Sequence, residues 1–287
     1  MSKKIAVIND LSGLGRCSLT AAIPVLSVMG VSPCPLPTAV LTAQTGYPSY
    51  YCDDLTDKMD IFTEEWKKQE VAFSGIYTGF LANTEQVDKI FHFLDAFYNE
   101  DNFLLVDPVM GDNGETYPIF TDTFLQEMKR LCEKADILTP NLTEACLLAN
   151  SDYQQFTATT NPDGLLDQIA TLGRKLLNKP NKHVIITGIH LEIDQVPSMG
   201  NLHVYQDGCN FSSYPCVHGS YSGTGDLFAS CLTGGIARGE EIKDIIETAA
   251  QFIGKSLIDT KADNTPTREG VNFEQNLGML ISRFSKS

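Results

Sequence analysis

Apolar segments of strand length alternate with segments of helical periodicity along the chain, and this alternation constrains the fold more than any other feature. Residues 5–8 and 103–106 are uninterrupted apolar runs, whereas Val87, Ile90 and Leu94 recur at helical spacing. Strands that are apolar throughout are typical of parallel sheets covered on both faces. The sequence therefore predicts a three-layer α/β fold, with a central, mostly parallel sheet and helices on both faces.

One segment departs from the parallel pattern. Residues 202–205 and 209–214 are strand-like and flank Asp207-Gly208, a dipeptide typical of tight hairpin turns. We therefore expect an antiparallel hairpin at one edge of the sheet.

The remaining segments suggest helices within a single domain. The polar stretch at residues 151–164 is predicted to be a loop, and the composition does not change across it. We therefore expect one domain over residues 1–287. Helices are predicted at residues 17–29, 63–70, 224–238, 240–258 and 272–284, and another begins at Asn83-Thr84.

The charge and hydropathy of the chain argue against several classes of protein. The 287 residues have a formal net charge of −15 and no dense basic run, so a nucleic-acid-binding surface is not expected. No apolar run reaches the roughly 18 residues that span a bilayer. The first residues also lack the apolar region of a signal peptide. We therefore expect a cytoplasmic protein with reduced cysteines and no membrane partner.

Two glycines flank Thr224 directly before a predicted helix, in the segment Gly223-Thr224-Gly225-Asp226. Flexible backbone and a helix N-terminus can together turn successive N–H groups toward an anion. Asp226 stands beside this predicted anion hole, where its carboxylate can accept a proton from an alcohol. An Asp in the first helical turn more commonly serves as a cap, and that alternative stays open. The helix field is also expected to lower the pKa of Asp226.

A second polar pair opens the helix that follows the predicted strand 136–138. Asn141 and Glu144 lie three residues apart, so their oxygens can point at one ligand. A carboxylate and an amide oxygen suit Mg²⁺, bound directly or through water. The same two residues satisfy a capping box, and the pattern alone favours neither explanation.

Polar residues also follow two other predicted strands. Asp107 and Asp112 lie in a flexible, acidic, glycine-containing loop after residues 103–106, and Thr187 ends the strand predicted at 184–187. Ligands of open α/β sheets bind beyond the carboxyl ends of strands, which makes these residues candidates for ligand contacts.

The standard nucleotide-binding motifs are missing. Gly13-Leu14-Gly15 lacks the third glycine of the dinucleotide fingerprint because Ser18 stands there, and no GxxxxGK[ST] segment occurs. A nucleotide site in this chain would therefore have to be of another kind.

Taken together and in this order, the segments 107–112, 139–144 and 223–226 resemble the ribokinase superfamily. Within it, residues 106–112 and Tyr77-Thr78-Gly79-Phe80 are similar to the pyridoxal kinases. The resemblance spans nearly the whole chain. It implies a ribokinase-like domain, usually a homodimer, that uses ATP with Mg²⁺ and is activated by K⁺.

The resemblance also implies roles for individual residues. Asp226 is expected to act as the base and the backbone of Gly223, Thr224 and Gly225 as the anion hole. The expected ATP contacts are Asp107, Asp112, Asn141, Glu144, Thr187, Gly223 and Thr224, and the expected metal ligands are Asp107, Asn141 and Glu144.

The N-terminal region is more similar to the hydroxymethylpyrimidine kinases, in residues 9–13 and 41–45. Asp10, Gln44 and Thr45 could hold either a pyridoxal-type ring or an aminopyrimidine, and both rings have a hydroxymethyl group. We expect a kinase of B6 vitamers; a hydroxymethylpyrimidine (phosphate) kinase and a catalytically silent vitamin- or nucleotide-binding regulator are the alternatives. The predicted substrate contacts are Asp10, Ser12, Gln44, Thr45, Phe80 and Met110.

Overall fold

The computed structural model describes residues 3–157, 161–193, 195–215 and 221–284. The chain divides into two compact units: the first contains the residues up to 104 and those from 217 onward, and the second contains residues 105–216. The predicted single domain over residues 1–287 stays a prediction. Strands and helices are numbered in chain order.

The first unit is built on strands in the order β4-β1-β2-β3. They are β1 (Lys4–Ser12), β2 (Ser32–Leu41), β3 (Cys52–Asp54) and β4 (Gly75–Thr78). β1 pairs in parallel with β2 and β4, whereas β3 is antiparallel to β2. Residues 5–8 of β1 are completely buried, so both faces of this strand are covered, as its apolar sequence predicts.

The helices of the first unit pack on these strands and on one another. They are α1 (Ser18–Val28), α2 (Thr56–Lys68), α3 (Thr84–Phe97), α8 (Thr224–Arg238), α9 (Ile242–Ala262) and α10 (Gly278–Phe284). α1 contacts β1 and β2, and α8 contacts α1, α9 and β4. The predicted start of α3 is confirmed, since the Asn83 side chain accepts a hydrogen bond from the Gln86 N–H at 3.0 Å.

Helix α2 is longer at its start than the helix predicted at residues 63–70. It begins at Thr56, whose N–H donates to the carboxylate of Asp54 at 2.8 Å. The Asp54 carboxylate supplies an acceptor for an N–H that has no partner within the helix. The helix can therefore begin two turns before residue 63, where it is predicted to start.

The helix predicted at residues 272–284 is also wrong in its first part. A 3₁₀ turn at Glu274–Asn276 precedes α10, which begins at Gly278. The side chain of Asn272 donates to Asp263 and Thr265, each at 2.9 Å, and these bonds hold residue 272 outside the helix.

The other strands belong to the second unit, except for residues 103–104 of the first of them. They are β5 (Phe103–Val106), β6 (Gly111–Asp112), β7 (Glu115–Thr116), β8 (Ile137–Leu138), β9 (His183–Ile193), β10 (Val196–Tyr205) and β11 (Gly208–Pro215). β8 pairs in parallel with β9 and with residues 105–106 of β5, and β10 is antiparallel to β9 and β11. The predicted hairpin is confirmed, with Tyr205 opposite Gly208. The strand predicted at residues 184–187 is longer because β10 pairs with β9 beyond Thr187.

The helices of the second unit are α4 (Asp122–Lys134), α5 (Leu142–Leu148), α6 (Gln154–Thr157) and α7 (Pro162–Lys175). The predicted loop at residues 151–164 is therefore partly helical, and its residues 158–160 lie outside the described part of the chain. Asn161 and Pro162 start α7, because an Asn cap followed by Pro at the first helical position favours helix initiation. Among the described residues, no helix combines the length and apolar character needed to cross a membrane.

Candidate active site

The glycine turn before α8 is fixed by close backbone packing. Gly223 precedes the helix with a φ of 83°, and a Cβ atom on it would lie 1.9 Å from the carbonyl oxygen of Arg16. Only glycine fits this position. No side-chain cap bond is described for α8, and Gly225 is exposed, so N–H groups of its first turn remain available to an anion. This is the arrangement that the predicted anion hole requires.

Asp226 is the third residue of α8, and its carboxylate bonds to other elements. Its Oδ1 accepts a hydrogen bond from Asn9 Nδ2 at 3.2 Å. The N–H of Ser18 and the hydroxyl of Tyr77 lie near this carboxylate and favour its ionised form. Asp226 does not cap its own helix, because the cap position belongs to Gly223 and has no side-chain bond. The capping explanation is therefore wrong for this residue.

Burial sets the basicity of Asp226. The pKa of this carboxyl is raised from 3.8 to about 6, mainly because burial disfavours the charged form. The donors Ser18, Asn9 and Tyr77 lower the pKa, and the negative charge of Asp10 raises it. The expectation that the helix field would lower this pKa is therefore wrong in its net direction. A carboxylate of raised pKa is a better proton acceptor near neutral pH than an ordinary Asp.

Asp10 is a buried carboxylate beside the half-buried Asp226. It accepts hydrogen bonds from the hydroxyls of Ser12, at 2.9 Å, and Ser18. Burial raises its pKa, and these hydroxyls oppose the rise. Ser18 therefore bridges the pair, since its hydroxyl bonds to Asp10 and its N–H bonds to Asp226. We refer to Asn9, Asp10, Ser18, Tyr77 and Asp226 as the Asp226 cluster.

The other predicted substrate contacts of the first unit differ in their surroundings. Gln44 is buried, and its Nε2 donates to the carbonyl of Arg268 at 2.9 Å and to Ser222 Oγ at 3.2 Å. Its Oε1 accepts from the N–H of Gly46 at 2.8 Å, so Gln44 ties together the segments around the glycine turn. Thr45 is exposed on the neighbouring loop, and Phe80 is half-buried with its N–H bonded to Asn9.

In the second unit, Asn141 and Glu144 form the capping box that their spacing allows. Asn141 Oδ1 accepts from the Glu144 N–H at 2.9 Å, and Glu144 Oε2 accepts from the Asn141 N–H at 2.8 Å. Both side chains also hold the loop before β6. Glu144 Oε1 accepts from the N–H of Met110 at 3.0 Å, and Asn141 Nδ2 donates to the carbonyl of Gly111 at 2.8 Å. The capping geometry is therefore confirmed, and it leaves a cation role untested.

Two carboxylates of the second unit, Asp107 and Glu144, have charges that a cation could offset. Asp107 and Glu144 are both buried, and Thr139 donates to Asp107 at 3.0 Å. Burial and the nearby charge of Asp107 raise the pKa of Glu144 well above its ordinary value. A divalent cation would offset this repulsion, and protein-bound Mg²⁺ typically takes one or two carboxylates together with phosphate and water oxygens. Among the described residues no group of three or more His, Cys, Asp or Glu side chains could hold a metal.

The remaining predicted residues of the second unit lie around the same helix start. Met110 is completely buried, and the N–H of Thr187 donates to the carbonyl of Pro140 at 2.9 Å. Asp112 is exposed in a short hairpin whose turn residues, Asn113 and Gly114, have φ values of 53° and 85°. The segment predicted as a flexible acidic loop is thus an ordered hairpin, because Asn-Gly tolerates the two positive φ values of such a turn.

Sequence reasoning missed three members of the Asp226 cluster: Asn9, Ser18 and Tyr77. Asn9 follows the apolar run of β1, and the rule that ligand-site residues follow strand ends could have identified it. Ser18 has a φ of 48°, which no sequence pattern indicated. Its left-handed backbone aims the N–H at one carboxylate and the hydroxyl at the other.

Comparison with known proteins supports the predicted resemblance. The sequence model of the phosphomethylpyrimidine kinase family matches residues 18–269. A pyridoxine/pyridoxal/pyridoxamine kinase of Bordetella avium is 24% identical over 254 residues, which cover 86% of this chain and 82% of the relative. A hydroxymethylpyrimidine/phosphomethylpyrimidine kinase of Bacillus subtilis is 25% identical over 257 residues, covering 88% and 80%.

A solved structure matches more of the chain. It is a Bacteroides thetaiotaomicron protein provisionally assigned as a phosphomethylpyrimidine kinase and crystallised with pyridoxal. The two chains are 37% identical, the match covers 98% of this chain and 96% of that one, and the TM-score is 0.88. The predicted α/β fold and the predicted resemblance are confirmed by these matches.

Proposed function

Because this chain belongs to the phosphomethylpyrimidine kinase family, we propose that it transfers the terminal phosphoryl group of ATP to the hydroxymethyl group of pyridoxal, pyridoxine or pyridoxamine. A phosphotransferase acting on an alcohol is the activity common to the family and to the relatives that match the chain. One observation supports the chemistry best: Asp226, a half-buried carboxylate of raised pKa, lies in the helix turn that follows the glycine of positive φ.

In the proposed reaction the alcohol oxygen attacks the γ-phosphorus, the bond from that phosphorus to the bridging oxygen breaks, and ADP leaves. The hydroxyl proton passes to the Asp226 carboxylate. With a pKa of about 6, this group is mostly ionised at neutral pH and yet more basic than an exposed Asp. The N–H groups of Thr224 and Gly225 stabilise the negative charge of the phosphoryl group in transit.

The second unit supplies the residues proposed to hold ATP and Mg²⁺. Asp107, Asn141 and Glu144 would hold the cation, directly or through its waters, and Asp112 and Thr187 would contact the nucleotide. When bound, Mg²⁺ neutralises phosphate charge, which is the main requirement of phosphoryl transfer besides positioning. Activation by K⁺ remains an expectation from the family.

Pyridoxal-type rings are proposed as substrates because the Bacteroides thetaiotaomicron protein, 37% identical to this chain, was crystallised with pyridoxal. In this proposal the ring lies against Asp10, Ser12, Thr45 and Phe80. Gln44 shapes the same site through its bonds to Ser222 and the 268 carbonyl. Met110, which is completely buried in the second unit, stays a predicted substrate contact.

A hydroxymethylpyrimidine or its phosphate is the second candidate substrate. The matching family is named for phosphomethylpyrimidine kinase, and the Bacillus subtilis relative phosphorylates such rings by its name. Pyridoxal-type rings and hydroxymethylpyrimidine both present a hydroxymethyl group to the same base and differ in the contacts that the ring makes. Hydroxymethylpyrimidine phosphate would instead accept the phosphoryl group on a phosphate oxygen.

The test is a substrate panel with the purified protein, ATP and Mg²⁺. Pyridoxal, pyridoxine, pyridoxamine, hydroxymethylpyrimidine and its phosphate are each supplied, and ADP release and product mass are measured. We expect phosphorylation of at least one B6 vitamer and none in the Asp226→Asn variant. Turnover of pyrimidines alone would select the second candidate, and no turnover of any ring would favour the silent regulator. A cytoplasmic homodimer remains a prediction, which light scattering and fractionation can check.

A further inference from the structure

Asn9 uses both the oxygen and the nitrogen of its side-chain amide beside the proposed base. It is fully buried at the carboxyl end of β1. Its Oδ1 accepts hydrogen bonds from the N–H groups of Asp10, at 3.0 Å, and Phe80, at 2.9 Å. Two backbone donors can only be met by the amide oxygen, so the amide nitrogen has to face the other way. On that side it donates to Asp226 Oδ1 at 3.2 Å.

Gly79 provides the space that Asn9 occupies. A Cβ atom on Gly79 would lie 2.3 Å from Asn9 Nδ2 and 2.6 Å from Asn9 Cγ. The φ of Gly79 is not among the positive values, so the backbone does not need a glycine there. The glycine is needed because any larger residue would displace the Asn9 amide.

We infer that Asn9 is a positioning residue for Asp226, with Gly79 as its steric partner: the amide fixes the direction of the carboxylate and keeps it ionised. This inference rests on the proposed function, in which Asp226 is the base. It goes beyond that proposal because the direction and the ionisation of the base then depend on Asn9, a residue that contacts neither substrate in the proposed mechanism.

The charges around Asp226 show why a neutral donor matters. The titratable groups facing its carboxylate are Asp10 of β1, Cys17 at the start of α1 and Tyr77 of β4. Burial raises the pKa of Cys17 to about 12, so this thiol remains neutral. Burial and Asp10 favour the protonated form of Asp226, whereas the Asn9 amide favours the ionised form. Removing the amide should therefore leave Asp226 protonated at a higher pH.

Asn9→Asp is the sharpest variant. It keeps an oxygen toward the N–H groups of Asp10 and Phe80 and replaces the donor that faces Asp226 with an ionisable oxygen, whose charge adds to the effect of losing the donor. Asn9→Ala removes the same donor without adding a charge. The wild-type enzyme should lose kcat/KM below a pH of about 6. In the variant we expect this limb to move up by about one pH unit or more, kcat at neutral pH to fall at least about tenfold, and the KM for ATP to stay unchanged.

A direct titration separates this inference from the proposed function. The carboxyl carbon of Asp226 can be followed by ¹³C NMR, with Asp226→Asn used to assign the signal. We expect its midpoint to shift upward in Asn9→Asp whether or not the protein phosphorylates any ring tested. If the midpoint shifts while no substrate turns over, the positioning inference stands and the proposed function fails.

Gly79→Ala tests the same link without changing any polar group. Its methyl group should displace the Asn9 amide and move the acid limb of kcat/KM upward, as Asn9→Ala does. In the Asn9→Ala background the same methyl meets no amide, so adding Gly79→Ala should change the limb little further. Additive effects in this double-mutant cycle would contradict the steric partnership.

Asn276→Asp is the matched control. Asn276 is a buried Asn of the same unit and donates to the carboxylate of Asp259 at 2.9 Å. This change should lower stability and leave the pH profile as it is in the wild type. If Asn9→Asp likewise lowers stability alone, with both the kinetic limb and the NMR midpoint unmoved, Asn9 is merely structural and the inference is wrong.

Discussion

Replacing Asp226 with Asn should abolish turnover and also change how stability depends on pH. The pKa of Asp226 is raised from 3.8 to about 6. A carboxyl with a higher pKa in the folded than in the unfolded state favours folding while it is protonated. This contribution is complete below pH 3.8 and is lost as the pH rises through about 6. At about 1.4 kcal/mol per pH unit, the shift between these two values amounts to about 3 kcal/mol.

The neutral amide of the D226N variant has no proton to lose, so its stability lacks this pH-dependent decrease. Relative to the wild type, the free energy of unfolding of the variant should rise by up to about 3 kcal/mol between pH 4 and pH 7. The gain is reduced by a constant amount because the new amide nitrogen faces the donors Asn9, Ser18 and Tyr77. Urea unfolding at several pH values measures the difference, and kcat should fall by several orders of magnitude.

The control is Asp95→Asn, a change of the same kind at an exposed position of α3. Its free energy of unfolding relative to the wild type, measured over the same pH range, is the baseline for the D226N difference. The reasoning is refuted if the D226N difference does not change from pH 4 to pH 8 beyond this baseline, because Asp226 would then have an ordinary pKa in the folded protein. A flat difference together with lost turnover would leave its catalytic role intact and remove the explanation of its basicity.

Three further predictions concern other parts of the chain. Burial lowers the pKa of His203 to about 4, and that of its neighbour His183 is also lowered, so both remain neutral in the fold. Stability should therefore decrease as the pH falls from about 6.5 toward 4, and His203→Phe should weaken this dependence in acid unfolding curves. Gly223→Ala should destabilise the protein by at least about 2 kcal/mol, because its methyl group would meet the Arg16 carbonyl at 1.9 Å; wild-type thermal stability would contradict this. Asn141→Ala should remove a helix cap, at about 1 kcal/mol, and raise the Mg²⁺ concentration for half-maximal activity; an unchanged Mg²⁺ dependence would leave only the capping role.

The features that the sequence could predict are those formed by neighbouring residues. The turn at Asp207-Gly208, the cap at Asn83 and the capping box of Asn141 and Glu144 each depend on a few consecutive positions. The alternation of apolar strands and helices also predicts parallel pairing. A helix after a strand brings the chain back to the end of the sheet at which that strand began, so the next strand runs in the same direction. These local patterns were enough to identify Asp226 as a candidate base.

The surroundings of Asp226 could not be predicted in this way. Asn9 and Asp226 are separated by 217 residues, and their contact depends on how α8 packs in the first unit. The raised pKa follows from burial, which no spacing of residues in the sequence specifies. Gln44 shows the converse: its amide is predicted to contact the substrate ring, but in the fold this amide bonds to Ser222, to the carbonyl of Arg268 and to the N–H of Gly46.

Several features of the Asp226 cluster are individually unfavourable. Asp10 and Asp226 are neighbouring carboxylates in a chain with a formal net charge of −15. Ser18 adopts a φ of 48°, a conformation that costs about 1 to 3 kcal/mol when a residue other than glycine is held in it. Asp10 directs its charge, and Ser18 its N–H, at the carboxylate of Asp226. Packing alone gives no reason to retain them together, because apolar side chains of similar volume are often at least as stabilising as buried charged groups.

The second unit repeats this pattern at Asp107 and Glu144, where burial and repulsion raise the pKa of Glu144. Neutral side chains could cap α5 equally well, since an Asn–Gln pair also forms a capping box. The capping box alone therefore does not require a charge at position 144, and the proposed Mg²⁺ would give that charge a further role. In each unit the destabilising charge is thus the part of the structure that folding does not require, and it is the part to which the proposed phosphoryl transfer assigns a role.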